Sequence, residues 1–86
     1  MARYELRLKA SVAKDLRGLP KADVKRLLKR MQDLCDDPQP SGCEKLSGQP
    51  HYRVRQGVYR IVYGVDDALI VVEVVRVGHR REVYLA

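Results

Sequence analysis

Tyr52-Arg53-Val54-Arg55-Gln56-Gly57-Val58-Tyr59-Arg60-Ile61-Val62-Tyr63 decides the fold, because apolar and charged side chains alternate through it on both sides of one glycine. Period-two alternation is the signature of a half-buried strand. A glycine between two such runs marks a tight hairpin, since it tolerates the positive φ that the turn needs. Gln56-Gly57 is the expected turn. Side chains alternate across a strand, so parity puts Tyr52, Val54, Tyr59, Ile61 and Tyr63 on one face. Arg53, Arg55 and Arg60 then share the other.

Downstream of this hairpin, Asp66-Asp67 predicts a second turn. Leu69 to Val77 is apolar on both faces except for Glu73 and Arg76, which predicts a strand inside the sheet rather than at its edge. Gly78 ends it, and a last short strand is expected over Arg81 to Tyr84. Upstream, residues 37–50 are rich in Pro and Gly, with Glu44-Lys45-Leu46 briefly extended. Val24, Leu27, Leu28, Met31, Leu34 and Cys35 fall on one stripe of a helix that starts at Pro20 and stops at Asp37-Pro38. Before it, Ser11 is expected to cap a shorter helix carrying Val12, Leu16 and Leu19. Tyr4, Leu6 and Leu8 alternate with charged residues as a first strand. The expected architecture is one α+β domain over residues 1–86, ordered β-α-α-β-β-β with room for one more strand. Its small twisted sheet carries both N-terminal helices on one face.

Composition narrows the function. In 86 residues, 17 Lys and Arg stand against 11 Asp and Glu, a net charge of +6 that suits a polyanionic ligand or an acidic partner. The N-terminus lacks the apolar core of an export signal, and the apolar run Ala68 to Val72 is far too short to span a bilayer. Cys35 and Cys43 are expected to be reduced thiols of a cytoplasmic protein. With His51 and His79 they lack the paired spacing of a zinc site, so no metal or cofactor is expected.

Arg53, Arg55 and Arg60 on neighbouring strands repel one another, by about 0.2–1 kcal/mol for a directly opposed pair. A phosphate ligand would relieve that cost. The plainer alternative is that they only keep an exposed strand solvated. The tail Gly78-His79-Arg80-Arg81-Glu82-Val83-Tyr84 adds further guanidinium groups, an imidazole and a phenol. The sequence shows no paired carboxylates on this face, no glycine-rich phosphate loop and no Cys/His or serine nucleophile arrangement. Cations, imidazole and phenol suit attack of an RNA 2′-hydroxyl on its adjacent phosphate. That reaction takes its nucleophile from the substrate and needs only proton transfer and charge stabilisation from the protein.

Glu44-Lys45-Leu46-Ser47-Gly48, Tyr52-Arg53-Val54-Arg55, Val58-Tyr59-Arg60-Ile61-Val62-Tyr63 and Val77-Gly78-His79-Arg80-Arg81-Glu82-Val83-Tyr84, in this order behind two helices, resemble the RelE-type toxins of bacterial toxin–antitoxin pairs. The resemblance runs nearly end to end. It implies a metal-independent endoribonuclease that cuts mRNA in the ribosomal A site, touches 16S rRNA, and is silenced by a cognate antitoxin. By resemblance, Arg60 and Arg80 bind the phosphate and its transition state, and Tyr84 orients the nucleotide or moves a proton. Arg53, Arg55, Arg81 and Lys45 are implied RNA contacts. Arg53 and Arg55 fall where the best-known members carry lysines, and arginine does not give up its proton. His79 or Tyr84 would then serve as proton acceptor. The apolar residues Leu69, Val71, Val75 and Val77 are expected to meet part of the antitoxin.

Two other functions compete. A ParE-type toxin has the same fold and poisons DNA gyrase without cutting RNA. A plain nucleic-acid-binding module would use Lys21, Lys25 and Lys29 of the second helix, although exposed lysines on an amphipathic helix are ordinarily solvated.

Overall fold

The computed structural model describes residues 3–79. Within them the chain runs β1 (Glu5–Leu8), α1 (Ala10–Arg17), α2 (Lys21–Asp36), β2 (Glu44–Lys45), β3 (His51–Gln56), β4 (Tyr59–Asp66) and β5 (Val71–His79). This is the α+β order the sequence predicts, with residues 44–45 forming a short strand. The further strand expected over Arg81 to Tyr84 lies outside the described residues. The strands form one five-stranded sheet in the order β1-β5-β4-β3-β2. β1 runs parallel to β5 and the other neighbours are antiparallel. β5 is an interior strand, which accounts for its nearly continuous apolar sequence.

Three local expectations are corrected. The first hairpin turns on Gly57-Val58 rather than Gln56-Gly57, because Gln56 already pairs with Tyr59 and Arg55 with Arg60. Gly57 has φ 61, so it takes the first central position of the turn, where a positive φ matches the twist of the flanking strands. The pairing moves by two residues, so every side chain keeps its expected face. The second hairpin is wider than Asp66-Asp67: Asp66 pairs with Val71, and its carboxylate accepts the Leu69 N–H at 2.9 Å. Strand β5 therefore begins two residues after the expected Leu69, and it runs on through Gly78, where it was expected to end, to His79. Ser11 does not cap α1, which starts at Ala10 with Lys9 in the cap position. The Lys9 N–H donates to the Val74 carbonyl at 3.0 Å, so the chain stays on the sheet until the helix begins.

The helices cover one face. Val12 of α1 and Leu27, Met31, Leu34 and Cys35 of α2 pack with Val54, Ile61, Tyr63, Val72, Val74 and Val77 of the sheet. Each such aliphatic burial stabilises the fold by roughly 1.5–3 kcal/mol before entropy is counted. Tyrosines fasten the layers together. Tyr59 donates its hydroxyl to Asp23 of α2 at 2.7 Å, and Tyr63 donates to the Pro38 carbonyl at 2.6 Å. The Tyr52 and Tyr63 rings stack with centroids 5.8 Å apart. Cys35 and Cys43 are free thiols.

One irregularity reshapes the outer face of the sheet. Val62 pairs with Arg76 but the next residue, Tyr63, pairs with Val74, so Val75 is an extra residue in β5. A bulge of this kind shifts the parity of the strand. Val72 and Val74 face the core below it and Val77 faces the core above it. Arg76 is thereby turned onto the outer face.

Candidate functional site

The sheet register orders the outer face into rows. At the hairpin end, Arg55, Arg60 and Gly78 lie side by side across β3, β4 and β5. The next row is Glu44, Arg53, Val62 and Arg76. Then come His51, Gly64, Glu73 and Arg7, and finally Asp66, Val71 and Glu5. Charge therefore grades along the face, from a pair of guanidinium groups at one end to a pair of carboxylates at the other.

The three strand arginines share this face, as parity predicts, but in different environments. Arg60 is 2% exposed, the one charged residue buried among those described. Arg55 is exposed and directly opposed to it. Arg53 is mostly covered and binds Glu44 of the edge strand at 3.0 Å. Burying a guanidinium is costly, and placing another opposite it adds repulsion. Planar guanidinium groups bind phosphate oxygens in forked pairs, so an anion beside Arg55 would offset that repulsion.

Other expected site residues fall elsewhere. Lys45 pairs with Tyr52 and His79 with Tyr59, so both are on the tyrosine side of the sheet rather than beside Arg60. Both are exposed. Arg80, Arg81 and Tyr84 lie outside the described residues. The apolar set expected to meet an antitoxin does not form one surface. Val77 is in the core and 4% exposed, Val71 is also 4% exposed, and Leu69 stands out at 63%. The bulge is the reason, since it turns Val77 to the opposite face. On α2, Lys29 holds Asp33 at 2.7 Å with both side chains well exposed, the ordinary arrangement of a solvated helix face.

The sequence also left residues unassigned. Arg76 lies beside Val62, next to Arg53. Lys9, Leu46, Gln49, His51, Val62, Val75 and Arg76 line an open cleft of about 310 Å³ on this face. Gly64 leaves room for His51, whose Cδ2 lies 3.3 Å from where a Cβ on Gly64 would stand. A signal for the bulge was present in the sequence: Glu73 and Arg76, the two charged residues of β5, are three apart, a spacing that period two cannot keep on one face.

Two tyrosines of the covered face, Tyr63 and Tyr59, hold their protons more tightly than a free phenol. Burial, above all, pushes the Tyr63 phenol well above its ordinary range. The hydrogen bond to Asp23 raises that of Tyr59. Among the described residues no three of His, Cys, Asp and Glu are grouped as metal ligands, and no helix is long and apolar enough to cross a membrane.

Comparison with known proteins defines the class. Residues 6–84 match the family described as the ParE toxin of the type II toxin–antitoxin system parDE. An Escherichia coli protein described as RelE-like toxin is 28% identical over 80 residues, spanning 91% of this chain and 84% of that protein. The archaeal RelE of a RelE–RelB complex from Pyrococcus horikoshii superposes with a TM-score of 0.81 at 30% identity, covering 92% of this chain and 97% of that one. The isolated RelE toxin of E. coli gives a TM-score of 0.77 at 32% identity, covering 95% of this chain and 92% of that one. The chain belongs to the RelE/ParE superfamily of toxins from type II toxin–antitoxin systems.

Proposed function

We propose that this toxin is a ribosome-dependent endoribonuclease that cleaves mRNA in the A site. The observation that carries the reading is the Arg55–Arg60 pair, with one guanidinium buried and the other set directly across from it. The 2′-hydroxyl oxygen attacks the adjacent phosphorus as its proton leaves, and the bond to the 5′-oxygen breaks as that oxygen takes up a proton, leaving a 2′,3′-cyclic phosphate and a free 5′-hydroxyl. Arg60 and Arg80 stabilise the charge that builds on the phosphate oxygens, and Arg53, Arg55 and Arg81 hold the flanking backbone. The proton leaving the 2′-hydroxyl needs an acceptor that arginine cannot supply. His79 lies on the tyrosine side of β5, which favours Tyr84 for the proton-transfer role. No metal or cofactor takes part. The cytoplasm is the compartment in which ribosomes present this substrate.

With no strong base at hand, positioning by the ribosome supplies much of the rate. Protein-free RNA is cut weakly or not at all. A cognate antitoxin is the second partner, in keeping with the RelB that accompanies the archaeal relative in its crystal structure. The description of the matching family favours one alternative, a ParE-type poison of DNA gyrase. Mapping transcript 5′ ends before and after induction separates the two. A ladder of cuts at fixed codon phase, lost in Arg60→Ala and in the exposed variant Arg55→Ala, supports the nuclease. DNA damage without such cuts supports the gyrase poison.

A further inference from the structure

The arginine face does not end at Arg60. Two residues further along β4, a distance of roughly 7 Å, the cleft over Val62 and Val75 is ringed by Lys9, Arg76, Gln49 and His51. We propose that this cleft is a second RNA subsite, holding the nucleotide next to the scissile phosphate. The base would rest on the apolar floor, and its phosphate would bind Lys9 and Arg76. The inference rests on the RNA-cleaving reading of the Arg55–Arg60 pair.

The cleft is built by the backbone. The extra residue Val75 turns Arg76 outward and widens the floor beside Val62. Lys9 is held against the same point by its N–H bond to the Val74 carbonyl. The opposite wall is a closed loop, in which the Leu46 N–H donates to the His51 carbonyl at 2.9 Å and the Gln49 N–H to the Leu46 carbonyl at 3.3 Å. Gln49 and His51 thus stand at fixed places on the rim, one offering an amide and the other a ring. Among the described residues neither Lys9 nor Arg76 forms an ion pair, although both belong to a face that carries carboxylates. An apolar floor with two cations and an amide at its edge is the chemistry that single-stranded RNA recognition uses: bases on apolar or π surfaces, and phosphates on Lys and Arg. In the row of His51, Glu73 stands beside Arg7, and beyond that row Asp66 and Glu5 leave a net negative charge. A phosphate chain is repelled there, so the path has an end.

Binding of 2′-O-methyl oligonucleotides, which cannot be cleaved, tests this by fluorescence anisotropy on the purified toxin. A hexanucleotide is expected to bind more tightly than a trinucleotide. The Lys9→Ala/Arg76→Ala double variant should erase that gain, about tenfold or more, and leave trinucleotide binding unchanged. The salt dependence should also flatten by about 0.7 in log–log slope for each phosphate that is no longer neutralised. Arg76→Lys should keep most of the gain. Both replaced side chains are exposed, and an unchanged melting temperature confirms that the double variant is folded. Arg60→Ala is expected to weaken both oligonucleotides. If it does so while the double variant binds like the parent, the cleft proposal alone is overturned. If Arg60→Ala weakens neither, the RNA-cleaving reading goes with it. Loss of binding to an acidic peptide, with RNA affinity intact, would overturn the proposal in favour of a protein partner.

Discussion

Tyr59 and Tyr63, under the helices, each donate a hydroxyl hydrogen bond to an acceptor in the covering layer. On the other side of the same strand, Arg60 is buried with a second guanidinium set opposite it. One face meets its buried hydroxyls with acceptors, and the other sets two like charges side by side. The first arrangement stabilises the fold, and the second adds a repulsion that an anionic ligand would relieve.

Substitutions on the two faces should therefore diverge. The largest effect is expected from Tyr63→Ala, which empties a fully buried site and removes both the Tyr52 stack and the Pro38 bond. A loss of about 3–5 kcal/mol in urea unfolding is expected, and a loss below about 1 kcal/mol would break the comparison. Tyr63→Phe deletes only the hydroxyl and should cost about 1 kcal/mol, leaving the Pro38 carbonyl unmet. On the outer face, Arg55→Gln should leave stability unchanged or raise it by about 0.2–1 kcal/mol while toxicity falls. A destabilised but fully toxic Arg55→Gln protein would reverse the reading of that face. Smallest is Ile70→Gly. Ile70 is β-branched with φ 55 and 40% exposed, so glycine should relieve up to about 1 kcal/mol of strain, seen as a slightly higher melting temperature.

The covered face also predicts an alkaline limit. The phenols of Tyr63, Tyr59 and Tyr4 keep their protons to higher pH when folded than when unfolded, the first chiefly through burial and the others through hydrogen bonds to Asp23 and Asp67. Tyrosine in the unfolded chain titrates near pH 10. Below that pH both states hold the protons and stability does not change. Above it the unfolded chain sheds protons that the fold retains, so stability falls as pH rises. Denaturant midpoints between about pH 9 and 11.5 should show the fall, and Tyr63→Phe should shallow it. An unchanged slope in that variant would show that Tyr63 is not the group responsible.

How much of this was legible in the sequence differs between the faces. Strand parity placed Tyr52, Val54, Ile61 and Tyr63 against the helices and the three arginines opposite them, because one pleated period governs both strands. Helix α2 was equally plain from its single apolar stripe. Register was less so. The hairpin register depends on one glycine's place within the turn, and a two-residue error there left the faces intact. The bulge at Val75 was costlier to miss, since it moved Arg76 onto the face of the strand arginines and Val77 out of the surface expected for a partner. A side chain's face within a strand is local information, but an inserted residue is settled by the neighbouring strand. Lys45 and His79 show the same limit: each is near the arginines in sequence, and its pairing partner puts it on the other side.

The parallel pairing of β1 with β5 carries a further consequence. Glu5 to Leu8 bond to Val71 to Val74, so β1 waits for β5 before it has a neighbour in the sheet. β5 also supplies Val72, Val74 and Val77 to the core beneath the helices. A chain emerging N-terminus first therefore stays open until β5 has been made, since such distant contacts close late. For a toxin this amounts to a safety catch: the weapon cannot be armed by its N-terminal elements alone.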